Sequence, residues 1–237
     1  MLFLPLTLTS PAENLALDEA LLLQAEDGGL EVLRLWEWQL PLVVLGAACP
    51  IASDVDRAAC DRDGVPIMRR ASGGGTVVLG RGCLCFSLVL SYDRDPALRE
   101  VRSSYQFILG QVRDALSALV PGVTLAGTSD LAWGDRKFSG NSQQRKRRHL
   151  LHHGTILHDF DLTLSDRYLR MPSRQPDYRR QRPHAAFLTN LPVAVTTLHE
   201  QLREAWHAVE TPPAWPEERV AHLLEARYSR TDWTVRR

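Results

Sequence analysis

The sequence has little cysteine and no long apolar segment. Four cysteines occur in 237 residues, and they form neither a C-x-x-C pair nor a histidine-cysteine set at the spacing of a metal site. Reduced thiols and a cytoplasmic protein are the simplest expectation. No apolar run approaches the roughly 18 residues that a membrane-spanning helix needs, so the sequence predicts no membrane association.

The sequence also lacks a net charge and the common nucleotide-binding motifs. The 28 basic and 28 acidic residues give a formal net charge of zero, which offers no reason to expect nucleic-acid binding. Neither the P-loop pattern nor the G-x-G-x-x-G fingerprint of dinucleotide-binding folds is present. Any nucleotide must therefore be held in another way.

The pattern that is present predicts a single α+β domain over residues 1–237, with a mainly antiparallel or mixed sheet flanked by helices. Ser10 to Glu13 has the form of a capping box, with Pro11 at the first helical position, which predicts a helix over 11–26. The residues from Gly80 to Gly82 are interpreted as the turn of a hairpin. Further helices are expected near 54–60, 98–119, 163–170, 194–209 and 216–227, and strands near 31–38, 42–46, 65–68, 76–79 and 83–90, with two to four more over 123–160.

Two glycine-rich segments carry the strongest functional signal. They span 69–76 (Arg-Arg-Ala-Ser-Gly-Gly-Gly-Thr) and 134–141, and His-His-Gly-Thr follows at 152–155. Adjacent glycines let backbone N–H groups approach an anion closely and tolerate a positive φ. Arg70 and Lys137 add fixed positive charges. The combination indicates a site for phosphate or carboxylate, and hence an enzyme.

These segments, together with Asn14 to Glu19, Ser129 to Leu131 and Thr189 to Leu191, resemble the lipoate-protein ligase A family in order and spacing. The resemblance covers roughly residues 10–205 and implies the catalytic-domain fold of biotin and lipoate ligases. It also implies a reaction: ATP, with Mg²⁺, activates lipoic or octanoic acid to an acyl-adenylate, and the acyl group passes to a lysine of an apo lipoyl domain.

The resemblance also implies roles for individual residues. Lys137 is the expected catalytic residue, in contact with both the acyl carbonyl and the α-phosphate. Arg70 and the amides of Gly73 to Gly75 are expected to cradle the acyl head group and phosphate, and Asp130 to hold Mg²⁺ through oxygen. The other expected lipoate or ATP contacts are Ser72, Thr76, Leu79, Ser139, Gly140, His153, Gly154 and Thr155; Phe138, Leu79 and Trp36 are candidates for the apolar acyl tunnel, with ordinary core burial the favoured expectation for Trp36.

Two other functions stay open, namely acyl transfer from a carrier protein and non-catalytic binding of lipoyl-adenylate. The family's octanoyl transferases use a cysteine near the Lys-x-x-Gly segment or just before the His-Gly segment, and neither stretch contains one here. This favours the ligase. We expect no carboxy-terminal accessory domain, so a ligase that acts alone and one that needs a separate accessory protein both stay open. The basic run 145–148 is interpreted as a solvated hairpin tip or as a surface that steers an acidic acceptor domain.

Overall fold

The computed structural model describes residues 1–212 and 214–236, whose strands form two sheets. The strands are β1 (Leu2–Pro5), β2 (Val32–Glu37), β3 (Leu42–Leu45), β4 (Ile67–Arg69), β5 (Val77–Leu79), β6 (Cys83–Ser91), β7 (Val123–Ala126), β8 (Asp130–Trp133), β9 (Arg136–Arg145) and β10 (His149–Leu157). The larger sheet has the order β1-β2-β6-β10-β9-β8-β7, and the smaller has the order β4-β3-β5. The β1–β2 and β3–β4 pairs are parallel and the others antiparallel. The expected α+β fold with a mixed sheet is confirmed.

The helices lie mostly where the sequence predicts them. They are α1 (Pro11–Glu26), α2 (Ile51–Asp54), α3 (Arg57–Asp63), α4 (Val101–Ser117), α5 (Thr163–Tyr168), α6 (His184–Phe187), α7 (Val195–Ala205), α8 (Glu217–Leu223) and α9 (Thr231–Val235). A π-helical turn, Leu224–Tyr228, continues α8, and a 3₁₀ turn, Pro96–Arg99, precedes α4. The short α2, α6 and α9 were not expected. None of the described helices is long and apolar enough to cross a membrane.

The larger sheet is covered on both faces, and β6 shows the alternation that this requires. Cys83 and Cys85 point to the face that packs on α1, whereas Leu84 and Leu88 point to the face covered by α4 and α7. Both sulfurs therefore lie on one packed face. Helix α1 begins with the predicted capping box, in which Ser10 Oγ accepts from the Glu13 N–H at 3.2 Å. Its residues from Asn14 to Leu22 are all buried, since α8 packs on the face that the larger sheet does not cover.

The expected hairpin around Gly80 to Gly82 is wrong. Strand β5 pairs with β3 in the smaller sheet, whereas β6 pairs with β2 and β10 in the larger one. The Gly80 to Gly82 turn therefore connects the smaller sheet to the larger one. Gly82 is needed there because its φ is +80° and a Cβ would lie 2.1 Å from backbone atoms of Asp159.

Candidate active site

Two cavities meet at Lys137. The first cavity has a volume of about 170 Å³, and the second has a volume of about 450 Å³. Apolar side chains wall the first cavity, namely Leu15, Trp36, Val44, Val77 and Leu79. Arg170, Arg174 and Arg179 border the second. Both linings share Gly75, Thr76, Val77, Ser129, Asp130, Lys137, Gly140 and Thr155. An apolar ligand in one cavity and an anionic ligand in the other would therefore meet beside the Lys137 ammonium group.

Lys137 is held in place by a neighbouring carboxylate. Its Nζ lies 2.8 Å from Oδ1 of Asp130, which is on the adjacent strand β8. The other carboxylate oxygen, Oδ2, accepts a hydrogen bond of 2.7 Å from the hydroxyl of Tyr178. Burial, reinforced by the charge of Asp130, raises the pKa of Tyr178, so the hydroxyl stays protonated and donates. Gly140 leaves the space that the lysine fills, since a Cβ there would lie 2.7 Å from Nζ.

The glycine-rich loop between β4 and β5 is fastened by Arg70. The buried guanidinium group donates to Ser72 Oγ at 2.9 Å, to the carbonyl oxygen of Gly73 at 2.6 Å and to that of Gly75 at 2.9 Å. Burial lowers the pKa of Arg70 to about 10, so the group is still charged at neutral pH. The structure thus places a fixed positive charge directly beneath the loop.

A chain of polar groups forms the floor of the first cavity. His153 Nδ1 lies 3.2 Å from Oδ2 of Asp18, and Nε2 lies 2.5 Å from Ser72 Oγ. Asp18 also pairs with the fully buried Arg34 at 2.6 Å and accepts from Ser87 at 2.8 Å. Burial opposes ionisation, but the charge of Arg34 and the hydrogen bonds from His153 and Ser87 outweigh it and lower the pKa of Asp18.

Only one of the two neighbouring histidines faces the first cavity, as expected for a strand. His153 lines it, whereas His152 lies fully buried against Phe86 on the other face. Burial lowers the pKa of His152 to about 3, so it is neutral. Gly154 makes room for a protein group, because a Cβ there would lie 1.8 Å from Oδ1 of Asn141.

Comparison with known proteins gives the family. Residues 10–209 match the lipoyl protein ligase A/B catalytic domain. The chain belongs to this family. The probable lipoate-protein ligase A of Mycoplasma pneumoniae is 31% identical over 69% of this chain and 48% of its own length. The octanoyltransferase LipM of Carboxydothermus hydrogenoformans is 33% identical over 75% of this chain and 71% of its own length. The LipM of Geobacillus kaustophilus is 26% identical over 96% of this chain and 95% of its own length. The chain thus spans about half the length of the M. pneumoniae ligase.

Solved structures agree with the family fold. A bipartite lipoate protein ligase from Thermoplasma acidophilum, from a structural analysis of that ligase and its E2 lipoyl domain, superposes with a TM-score of 0.82 at 22% identity, over 99% of this chain and 95% of that one. A lipoate-protein ligase A bound with ATP superposes with a TM-score of 0.83 at 23% identity, over 99% of this chain and 98% of that one. At these identities the likeness shows the fold alone. The predicted family and fold are both confirmed.

Most of the site residues that the sequence predicts lie on the walls of the two cavities. They are Arg70, Gly74, Gly75, Thr76, Leu79, Asp130, Lys137, Ser139, Gly140, His153, Gly154 and Thr155. Ser72 and Gly73 lie outside both linings; they brace the loop through Arg70. Of the proposed tunnel residues, Leu79 and Trp36 line the first cavity, whereas Phe138 is buried against the opposite sheet face and lines the second. The sequence interpretation gave no role to Asp18, Tyr178 or Arg170.

The basic run 145–148 lies far from Lys137. Both are on or next to β9, and the eight residues from Lys137 to Arg145 span about 26 Å of strand. Arg145 donates to the carbonyl oxygens of Leu98 and Arg99, and Arg148 is bound to Glu26. Lys146 and Arg147 are exposed. Any steering of a partner by this tip would therefore act at a distance from the cavities.

The residues present do not make a preformed Mg²⁺ site. The described residues contain no cluster of three or more acidic, histidine or cysteine side chains that could hold a metal. Both oxygens of Asp130, the expected ligand, are engaged by Lys137 and Tyr178. Mg²⁺ is bound mainly by one or two carboxylates plus phosphate oxygens, and an ion on Asp130 would lie beside the Lys137 ammonium group, whose like charge repels it.

Proposed function

We propose that this protein is an ATP-dependent lipoate-protein ligase. The observation that carries the proposal is the junction of the two cavities at Lys137. The apolar first cavity suits an acyl chain, whose carboxylate then lies at the junction. The larger second cavity, bordered by arginines, suits the phosphates of ATP. A regulator that only binds ligand has no need of an ammonium group placed between two substrates.

The proposed reaction has two steps. A carboxylate oxygen of the acid attacks the α-phosphorus of ATP; the bond from that phosphorus to the leaving oxygen breaks, and pyrophosphate departs. The amine nitrogen of the acceptor lysine then attacks the acyl carbon, the bond to the AMP oxygen breaks, and the amine proton goes to water. Both steps concentrate negative charge on oxygen beside the junction, where the Lys137 ammonium, the Arg70 charge and the loop amides can stabilise it.

The relatives support the substrates. The family includes proteins called lipoate-protein ligases, and similar folds have been solved with ATP and with lipoic acid bound. The T. acidophilum ligase was studied with its E2 lipoyl domain, which makes an apo lipoyl domain the acceptor we propose. We take residues 1–237 as one catalytic unit, and the experiment below shows whether adenylate formation needs a separate accessory protein.

The test is to incubate the protein with lipoate, Mg-ATP and an apo lipoyl domain and to follow acceptor mass and pyrophosphate. Lys137→Ala is the test variant, and Lys146→Ala at the exposed hairpin tip is its control. We expect lipoylation by the wild type and Lys146→Ala, and a loss of at least about 100-fold in Lys137→Ala. Transfer from synthetic lipoyl-adenylate alone would mean that adenylation needs a partner. No product from either substrate would exclude the ligase.

A second candidate is octanoyl transfer from a carrier protein. The G. kaustophilus octanoyltransferase matches along 95% of its length, whereas the M. pneumoniae ligase matches along 48%. Such a transferase of this family needs a reactive cysteine. Cys85 lines the first cavity, but hydrogen bonding with Cys83 and burial raise its pKa well above that of an ordinary thiol. Cys49, half-buried, lies with Sγ 3.2 Å from the carbonyl oxygen of Gly74.

Cysteine substitution separates the two candidates. A Cys49→Ser/Cys85→Ser variant should keep ATP-dependent lipoylation if the protein is the ligase. If the wild type instead transfers octanoate from octanoyl-carrier protein without ATP, and this variant does not, the protein is a transferase that uses one of these thiols.

A further inference from the structure

We infer that Asp130 and Tyr178 are positioning residues, which fix the Lys137 ammonium group at the junction of the two cavities. The inference rests on the proposed function, in which Lys137 is the catalytic residue. It also gives Asp130 a different role from the Mg²⁺ ligation that the family resemblance implies.

Both oxygens of the Asp130 carboxylate are engaged. Asp130 Oδ1 pairs with Lys137 Nζ at 2.8 Å, and Oδ2 accepts from the Tyr178 hydroxyl at 2.7 Å. The Asp130 side chain is only 9% exposed. A carboxylate bonded at both oxygens cannot rotate about its terminal bond without losing a hydrogen bond that is expensive to leave unmade in a buried place. The hydroxyl thus aims Oδ1 at the lysine.

Tyr178 is itself held on two sides. Its ring packs on Phe187 with a centroid distance of 5.1 Å. Its carbonyl oxygen accepts at 3.0 Å from Arg182, which also pairs with Asp135 at 2.8 Å, two residues before Lys137. The tyrosine and the lysine are therefore joined through the backbone segment of Asp135 as well as through Asp130.

The space around the Lys137 amine also restricts where the side chain lies. The Lys137 side chain is 25% exposed, and it crosses the surface of β9 where Gly140 has no side chain. A flexible lysine stem has many alternative rotamers directed to water. The pair with Asp130 selects the one directed at the junction, so the charge is in place before substrate arrives, which is the arrangement that electrostatic catalysis requires.

Kinetics of three variants test the inference. Tyr178→Phe keeps the ring and its packing, and should lower kcat for pyrophosphate release about tenfold, with the KM for lipoate changed less than about twofold. Asp130→Asn should lower kcat about 100-fold. In both variants, the Mg²⁺ concentration that gives half the maximal rate should stay near the wild-type value. Tyr92→Phe is the matched control, because that hydroxyl bonds to the Lys146 carbonyl oxygen at the other end of β9; its rates should be those of the wild type.

Two kinetic results would overturn the inference. One is a kcat in Tyr178→Phe equal to that of the wild type. The other is a rise of about tenfold or more in the Mg²⁺ requirement of Asp130→Asn, which would assign Asp130 to the metal.

A second measurement is independent of catalysis. Lys137 and Lys146 are the only lysines of the sequence, so competitive acetylation with isotopic acetic anhydride, read by mass spectrometry, compares one engaged amine with one exposed amine. The ratio of Lys137 to Lys146 labelling should rise several-fold in Tyr178→Phe and in Asp130→Asn, and stay constant in Tyr92→Phe. An unchanged ratio in both variants would refute the positioning role. If the protein forms no product from ATP or from lipoyl-adenylate, the proposed function fails, while the labelling ratio still decides whether these residues hold the lysine.

Discussion

Gly140→Ala should disable the protein with little effect on folding. Gly140 lies three residues after Lys137 on β9, and an added Cβ would come within 2.7 Å of Lys137 Nζ and 2.8 Å of its Cε. The lysine side chain is flexible, so it can rotate away and relieve the overlap. The ammonium group then leaves Asp130, and the charge leaves the junction of the cavities.

The size of the effect follows from the contact that is lost. The ammonium and carboxylate lie 2.8 Å apart, and their side chains are 25% and 9% exposed. Hydrogen bonds to charged groups contribute about 1.5–3 kcal/mol, which corresponds to a fall in rate of about 10- to 150-fold if the contact position matters in the transition state. The free energy of unfolding should fall by less than about 1.5 kcal/mol, because the lysine can move into water and Asp130 keeps its bond from Tyr178.

The assay is kcat/KM for lipoylation, with urea unfolding of the same preparations. Gly110→Ala is the matched control, since a Cβ at that position of helix α4 meets nothing within 4 Å. It should leave activity unchanged and stabilise the protein by about 0.5–1 kcal/mol. Activity of Gly140→Ala within about twofold of the wild type would refute the reasoning, because the lysine would then not be needed where the structure holds it.

Three further substitutions test other parts of the molecule. Gly46→Ala puts a Cβ 2.1 Å from the carbonyl oxygen of Gly74, so the free energy of unfolding in urea should fall by about 1–3 kcal/mol; equal stability would show that the glycine loop can move aside. Arg34→Met leaves the Asp18 carboxylate buried without its 2.6 Å partner and should cost about 3–5 kcal/mol by the same assay, partly recovered by adding Asp18→Asn; a loss below 1 kcal/mol would contradict this. His152, whose pKa burial lowers to about 3, takes up a proton on unfolding below its ordinary pKa of about 6.5, so stability should be lost as pH falls from about 6.5 towards 3, by up to about 1.4 kcal/mol per pH unit. His152→Gln should flatten that slope, and identical slopes between pH 6 and 4 would disprove the assignment.

Local chemistry predicted the elements whose stabilising contacts are local. Helix α1 starts at Pro11 because Ser10 and Glu13 cap one another within four residues. The hairpin expected at Gly80 to Gly82 failed because a glycine turn looks the same whether the next strand returns to the same sheet or crosses to another. Strand β6 joins the larger sheet through partners far along the chain, which turn residues do not specify. The short helices α6 and α9 have too few residues to show a helical period.

The residues of the candidate site also fall into those that the local sequence predicts and those that depend on distant contacts. Arg70 and Lys137 stand in glycine-rich segments whose composition already indicates an anion site. Tyr178 is 48 positions from Asp130 in the sequence, and Asp18 is 135 positions from His153. Each of these residues takes its role from contacts across the fold, and an isolated tyrosine in an arginine-rich stretch carries no sign of such a contact.

The choice of lysine at position 137 is itself informative. The sequence has 28 basic residues, and Lys137 and Lys146 are the only lysines among them. Arginine is the residue that usually binds a carboxylate or a phosphate through two hydrogen bonds. Here, however, the Lys137 side chain crosses Gly140, where a single added carbon would already lie 2.7 Å from the amine. A planar guanidinium is wider than an ammonium and presents its donors in a fixed plane, so it cannot occupy the same space between Asp130 and the two cavities. A compact ammonium group on a flexible stem can pair with Asp130 and still lie at the junction of the two cavities, where the oxygens of the proposed acyl and phosphate groups would meet.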